Sequence, residues 1–241
     1  IEAYSTVYDG NEHAAVKWSD YVRDNYTLSF TDILNTQQND MESLNYAYSM
    51  DKCPTVKDVI SDVYIYVKVE RNNYTTKYLE LRPQVRQATP VVTNVQVIGK
   101  IYETTKNGEV KLTADTSCEG KLTLTGNQDD LVISNATPGQ SYNVSWVFTP
   151  TDSKNYCTKV DTLSILISED EVTSIELKQR PTTKQYTYPE TFNPDGISIE
   201  ATYASGKIAP LDISAFVYSS DPIPAGTTSF TLTYKDNPDL T

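Results

Sequence analysis

The single histidine of this chain, His13, lies in the stretch YDGNEH, with Asp9 and Glu12 close by. An imidazole beside a carboxylate can act as a general base or as a pH-sensitive pair. Nucleophilic catalysis of the Ser-His-Asp kind would need a serine on a sharp elbow, and no G-x-S-x-G occurs. No P-loop and no G-x-G-x-x-G occurs either. One histidine cannot build a multi-His metal centre. Capping a turn or packing is therefore the role expected of His13. Asp129 and Asp130 with Asn127 could gather around calcium, but their spacing is not that of an EF-hand loop. Paired carboxylates for glycoside cleavage are always available among 32 acids, yet here they are spread evenly, as solvated faces are. We expect no catalytic residue, no cofactor and no metal.

Tyrosine is the uneven feature. Ten of the 18 tyrosines precede residue 87. Tyr46 and Tyr48 share a face in LNYAYSM, and Tyr64 and Tyr66 share one in DVYIYV. If the alternating valines face a core, Tyr64 and Tyr66 face outward. Exposed rings stack on sugars or anchor a protein partner, whereas paired rings on a sheet surface can simply pack across strands. Tyr46, Tyr48, Tyr64 and Tyr66 are the candidate ligand contacts, with packing as the plainer expectation.

The elements that must carry these residues read as strands. Val63, Ile65, Val67 and Val69 alternate with Tyr64, Tyr66, Lys68 and Glu70. The runs SYNVSWVF (141–148), VDTLSILIS (160–168) and SFTLTY (229–234) have the same period of two, which sends one set of side chains inward. No convincing helical pattern occurs, and the best candidate, FTDILNTQQNDMESL at 30–44, has poor apolar spacing. The chain also repeats itself: NYTTK at 73–77 returns as NYCTK at 155–159. In both places a strand precedes the mark and another follows. Each reads as the shoulder of a closing hairpin, with Asn suited to a turn and Tyr covering the core end. The endings of these hairpins divide the chain into segments 1–86, 87–170 and 171–241. Close strands, Gly/Pro/Asn turns and no intervening helices point to antiparallel β-sandwiches.

Composition bounds the function classes. The formal charge of −12 is shared about equally by the three segments. An even negative surface repels phosphate backbones, so nucleic acid is not an expected partner. No apolar run of about 18 residues exists, so no helical membrane insertion is expected. Cys53, Cys118 and Cys157 are too few for a disulfide framework; Cys118 and Cys157 could pair if their strands are neighbours, or remain free thiols. The chain begins without Met and ends without a tail signal, which reads as an excerpt of a larger exported protein.

The last segment resembles a bacterial Ig-like domain of the group 3 type. The marks are Tyr188, Glu190, Phe192, Pro194, Gly196, the Tyr203-x-x-Gly206-Lys207 hairpin and Pro224-Ala225-Gly226 before SFTLTY. The middle segment is similar to related repeats through Pro138-Gly139, Trp146 to Asp152 and Asn155-Tyr156. The first is similar to Tyr-rich repeats of surface adhesins through Tyr8-Asp9-Gly10, His13 and Asn73-Tyr74, and departs from them over 20–60. The resemblance implies an all-β tandem array of three Ig-like antiparallel β-sandwich domains. It further implies an extracellular location, on a bacterial surface or secreted, in a non-catalytic module for adhesion or spacing. Its partners would be a host or cell-surface protein or a glycan, and a monomer is expected. The alternative is an accessory carbohydrate-binding segment of a secreted polysaccharide-degrading enzyme.

Overall fold

A computed structural model describes residues 1–241. The chain is all-β, built of several small sheets. Its one α-helix, Asp20–Asn25, is short and starts at Ser19, whose hydroxyl accepts from the Val22 amide. The segment 30–44 forms no helix.

The chain divides into two compact units. One contains Ile1–Ile98, Lys111–Thr125 and Ser145–Leu163; the other contains Gly99–Val110, Gly126–Val144 and Ser164–Thr241.

In the first unit a four-stranded antiparallel sheet runs in the order Tyr48–Ser49, Thr27–Phe30, Ile65–Glu70, Lys77–Leu81. Phe30 faces Val67 and Ile65 faces Leu81 across it. Its inner side chains, Leu28, Phe30, Ile65 and Val67, pack with Tyr4, Ala15, Val16, Val56 and Val85 from small strands opposite. Each large aliphatic or aromatic group removed from water there contributes roughly 1.5–3 kcal/mol. The sandwich is not wholly antiparallel. Glu2–Ala3 pairs antiparallel with Val16–Lys17, and then Ser5–Val7 pairs parallel with Gln84–Arg86. The opening stretch thus pairs with two different small sheets.

The same unit carries the hairpin Val92–Ile98 with Lys111–Thr116, and Gly120–Leu124 against the outer half of Ser141–Pro150. Along Ser141–Pro150 every second residue is buried: Val144, Trp146, Phe148 and Pro150. Period two is satisfied here as the sequence predicts. Gly120 lies so close to this strand that a Cβ would meet the Phe148 ring at 2.5 Å.

In the second unit, Val172–Gln179, Ser198–Tyr203 and Ile208–Leu211 make a three-stranded antiparallel sheet. Ile199, Phe216 and Tyr234 form its core. The predicted Tyr-x-x-Gly-Lys hairpin is present: Tyr203 N–H reaches Lys207 O at 2.9 Å, and Gly206 takes φ +84°. The strand predicted over SFTLTY forms only at Thr233–Tyr234, paired with Phe216–Val217. The earlier half, with Phe230, instead turns to Phe192, and the rings stack at 4.1 Å. Aromatic packing has won over strand pairing at that point. Ile101 bridges in parallel to Ile167, and both are buried. It is the same parallel contact between early and late strands that Ser5–Val7 makes with Gln84–Arg86.

Candidate functional site

The tyrosine face is built by the strand Ile65–Glu70 and by the segment beside it. Thr31 N–H reaches Tyr66 O and Leu34 bridges antiparallel to Tyr64, so residues 31–34 run alongside, and Gln37 and Gln38 then close over Glu80 and the Tyr66 hydroxyl. Tyr66 is consequently buried, not outward as its alternation with the valines suggested. Its hydroxyl oxygen accepts from the Gln38 amide at 2.6 Å and lies 3.3 Å from a Glu80 carboxylate oxygen. Burial pushes its pKa up, which keeps the phenol neutral. Tyr46 turns its ring to Tyr78 at 5.7 Å and donates its hydroxyl to Met41 O at 2.7 Å. Desolvation, with smaller contributions from Tyr78 and Tyr66, pushes its pKa up to about 12. Tyr48 sits on the short edge strand opposite Phe30, packed against the core, and Tyr64 lies under the Arg82 guanidinium at 4.7 Å. Tyr46, Tyr48 and Tyr64 are half-buried. The four are not an open flat strip, because the unpatterned segment covers the middle of it.

His13 lies in the strand His13–Ala14, paired with Thr55–Val56. Its ring stacks on Tyr4 with centroids 4.6 Å apart, and Nε2 is 2.9 Å from an Asp9 carboxylate oxygen. The pair is with Asp9 rather than Glu12. The Asp9 carboxyl is held below its ordinary value, first by the Asn11 amide and then by His13. This arrangement fixes the YDGNEH turn. Asn127 uses its side chain and carbonyl to turn the backbone of Asp129 and Asp130. Cys53, Cys118 and Cys157 are free thiols, and Cys157 Sγ lies 3.4 Å from Thr89 Oγ1.

The most connected polar cluster lies at Asn155, the first letter of the second repeat mark. Asn155 is 5% exposed. Its Nδ2 donates to Asp58 Oδ1 at 3.2 Å and to Asp152 Oδ2 at 2.9 Å. Its Oδ1 accepts from the Val59 amide at 2.8 Å. Its carbonyl accepts from Ala88 N–H at 2.9 Å, and Ala88 O in turn accepts from Cys157 N–H. Both amide protons are used, so the burial carries no unpaired donor. Around this centre Lys154 pairs with Asp58 at 2.9 Å, and Gln87 Nε2 donates to Ser153 O. The Tyr156 ring meets Tyr8 edge-on at 5.3 Å. The Lys154 hydrogen bond, its charge and the Asn155 amide hold the Asp58 carboxyl below its ordinary value against some desolvation. The cluster clamps the loop between the strands Ser141–Pro150 and Lys159–Leu166 onto residues 8, 58–59 and 87–88. The sequence marked Asn155 by repetition. It gave no sign of Asp58 and Val59, which fall in the unpatterned stretch 20–60.

In the second unit a cleft of about 540 Å³ opens beside Leu177, Phe192 and Phe230, with Arg180 and Lys184 on its wall.

No protein-family model matches the chain, and no curated protein does. Among solved structures it is similar to a protocadherin gammaB7 EC3-6 cis-dimer structure, at 14% identity and a TM-score of 0.23. That match covers 99% of this chain and 62% of the other. A superposition this loose says nothing about ligand or role, and the fold above stands on its strand pairings alone. No helix is long and apolar enough to cross a membrane.

Proposed function

We propose that the chain is a non-catalytic, extracellular array of Ig-like β-sandwich repeats from a bacterial cell-surface protein, in which it acts as a spacer or adhesion module. The division into repeats at 1–86, 87–170 and 171–241 belongs to this reading. The observation that carries it is the Asn155 cluster. Inside the first compact unit, a buried, fully paired amide ties a loop of the middle segment to the body of the first. A joint of this kind resists bending, because opening it exposes donors and acceptors that then lack partners. A spacer that holds a load away from a surface needs such joints, whereas an enzyme spends its buried polar groups around a pocket.

The carbohydrate-binding alternative is favoured by one observation: Tyr46, Tyr48 and Tyr64 keep part of their rings at the surface. A glycan array separates the two. The spacer reading expects no glycan bound by the intact chain. Binding that vanishes in a folded Tyr46→Ala, Tyr48→Ala, Tyr64→Ala variant would transfer the function to sugar recognition.

A further inference from the structure

The two copies of the repeat mark differ in what they touch. The second, at Asn155, is engaged as described. The first lies in the loop between Ile65–Glu70 and Lys77–Leu81 and stands open. Asn73 is exposed with φ +63°, and Tyr74 is 67% exposed. Arg71 lies over the Tyr74 ring at 4.9 Å and over Tyr26 at 5.2 Å. Its Nη1 donates to the Tyr26 hydroxyl at 3.4 Å; that bond first, then Tyr74 and Tyr21, raise its pKa and favour the charged form, and no carboxylate forms an ion pair with it. An arginine surrounded by tyrosines, in a chain of net charge −12, is a cation set out for an acid from elsewhere.

The engaged copy shows what that acid is attached to. Just before its Asn-Tyr pair stands a cation, Lys154, bound to Asp58; two residues before the open pair, with Asn72 between, stands Arg71. Asn155 reads an Asp58 oxygen and the next amide, and Tyr156 reads the Tyr8 ring. The open loop has the same three groups: a cation, an amide side chain and a tyrosine ring. It is shorter than the engaged loop, and Asn73 holds the turn conformation that Asn155 does not.

We propose that the Arg71–Thr76 loop is a docking site for the end of another β-sandwich repeat. The occupant presents a carboxylate, the backbone N–H that follows it and an aromatic ring, as Asp58, Val59 and Tyr8 do, and arrives through a linker like Gln87–Pro90. Arg71 pairs with the carboxylate, Asn73 bridges carboxylate and amide, and Tyr74 packs on the ring. The array then grows by one kind of joint used repeatedly. The proposal rests on the tandem-repeat reading and adds the means by which repeats join.

The test is a tandem chain carrying an added copy of residues 1–90 ahead of the full 241-residue chain. Amide hydrogen exchange reads the original loop. We expect Asn72 to Thr76 to exchange at least roughly tenfold more slowly than in the natural chain. That protection should disappear when Asp58→Ala is made in the added copy alone. A folded added copy, shown by protection of its own Ile65–Glu70 strand, with no change at the loop overturns the docking and leaves the array reading standing. If the added copy does not fold, a loop graft decides. The loop 151–158 of the full chain is replaced by residues 71–76. Protection of Val59 and Ala88 N–H retained in the graft supports the proposal, and its fall to the level of Asn155→Ala overturns it.

Discussion

Asn155 donates to Asp58 at 3.2 Å across 97 residues of sequence, and the same amide group donates to Asp152 at 2.9 Å. A carboxamide is the side chain that fits this place. It offers two protons to two carboxylates and one oxygen to the Val59 amide.

Replacing it separates the parts of that fit. Asn155→Ala leaves the Val59 N–H and the two carboxylates short of a partner and should cost about 1–3 kcal/mol in denaturant unfolding. Asn155→Asp should cost more at neutral pH, because a third carboxylate then faces Asp58 and Asp152. Burial and like charge raise the folded-state pKa of the new group above its unfolded value. Its penalty is therefore largest at high pH and fades as pH falls toward the unfolded value. The gap between the two variants should narrow between about pH 7 and pH 4. A constant gap would contradict this placement.

The native cluster has the opposite pH behaviour. The folded Asp58 carboxyl is held below its ordinary value of 3.8, chiefly by the Lys154 hydrogen bond. Its contribution is fully present above that value and is lost as pH falls through the lowered one. Protection of the Ala88 amide, corrected for intrinsic rates, should hold down to about pH 4 and decline below it. Asp58→Asn should remove that acid-dependent step.

The covered tyrosines give a spectroscopic check. Phenolate absorbance should show Tyr46 titrating near 12, later than the bulk, with the late step absent in Tyr46→Phe. Tyr66→Phe removes the acceptor of the Gln38 amide and should cost about 1–3 kcal/mol. A neutral effect would mean that the loop at Gln38 does not rest on Tyr66.

Gly120 reports on the packing of the middle segment. A methyl group there would meet Phe148 at 2.5 Å and Thr149 O at 2.6 Å, and one of these is backbone. Gly120→Ala should destabilise by roughly 1–3 kcal/mol, as forcing a methyl group against packed neighbours does. Thermal unfolding measures it directly.

Much of this was legible in the residues. Period two at Val63 to Val69 and at Val144 to Phe148 placed the core strands, since burial on one face imposes alternation. The Gly206 hairpin was legible because its turn needs a positive φ. Other features were hidden. Tyr66 follows the outward phase yet is buried, because the segment that runs alongside brings Gln38 onto its hydroxyl, and nothing local encodes that contact. Phe230 left its predicted strand for Phe192, a choice between partners made only in three dimensions. The parallel pairing of Ser5–Val7 with Gln84–Arg86 joins distant segments that have no common pattern. The Asn155 cluster was half legible: repetition flagged Asn155, while Asp58 and Val59 carry no periodic signature.

If the Asn155 cluster is a rigid joint of the kind a spacer needs, breaking it loosens the chain. Small-angle X-ray scattering compares the native chain with folded Asn155→Asp at neutral pH. The variant should be more flexible, with scattering at higher angle raised above that of the native chain. Superimposable curves from a folded variant would contradict it.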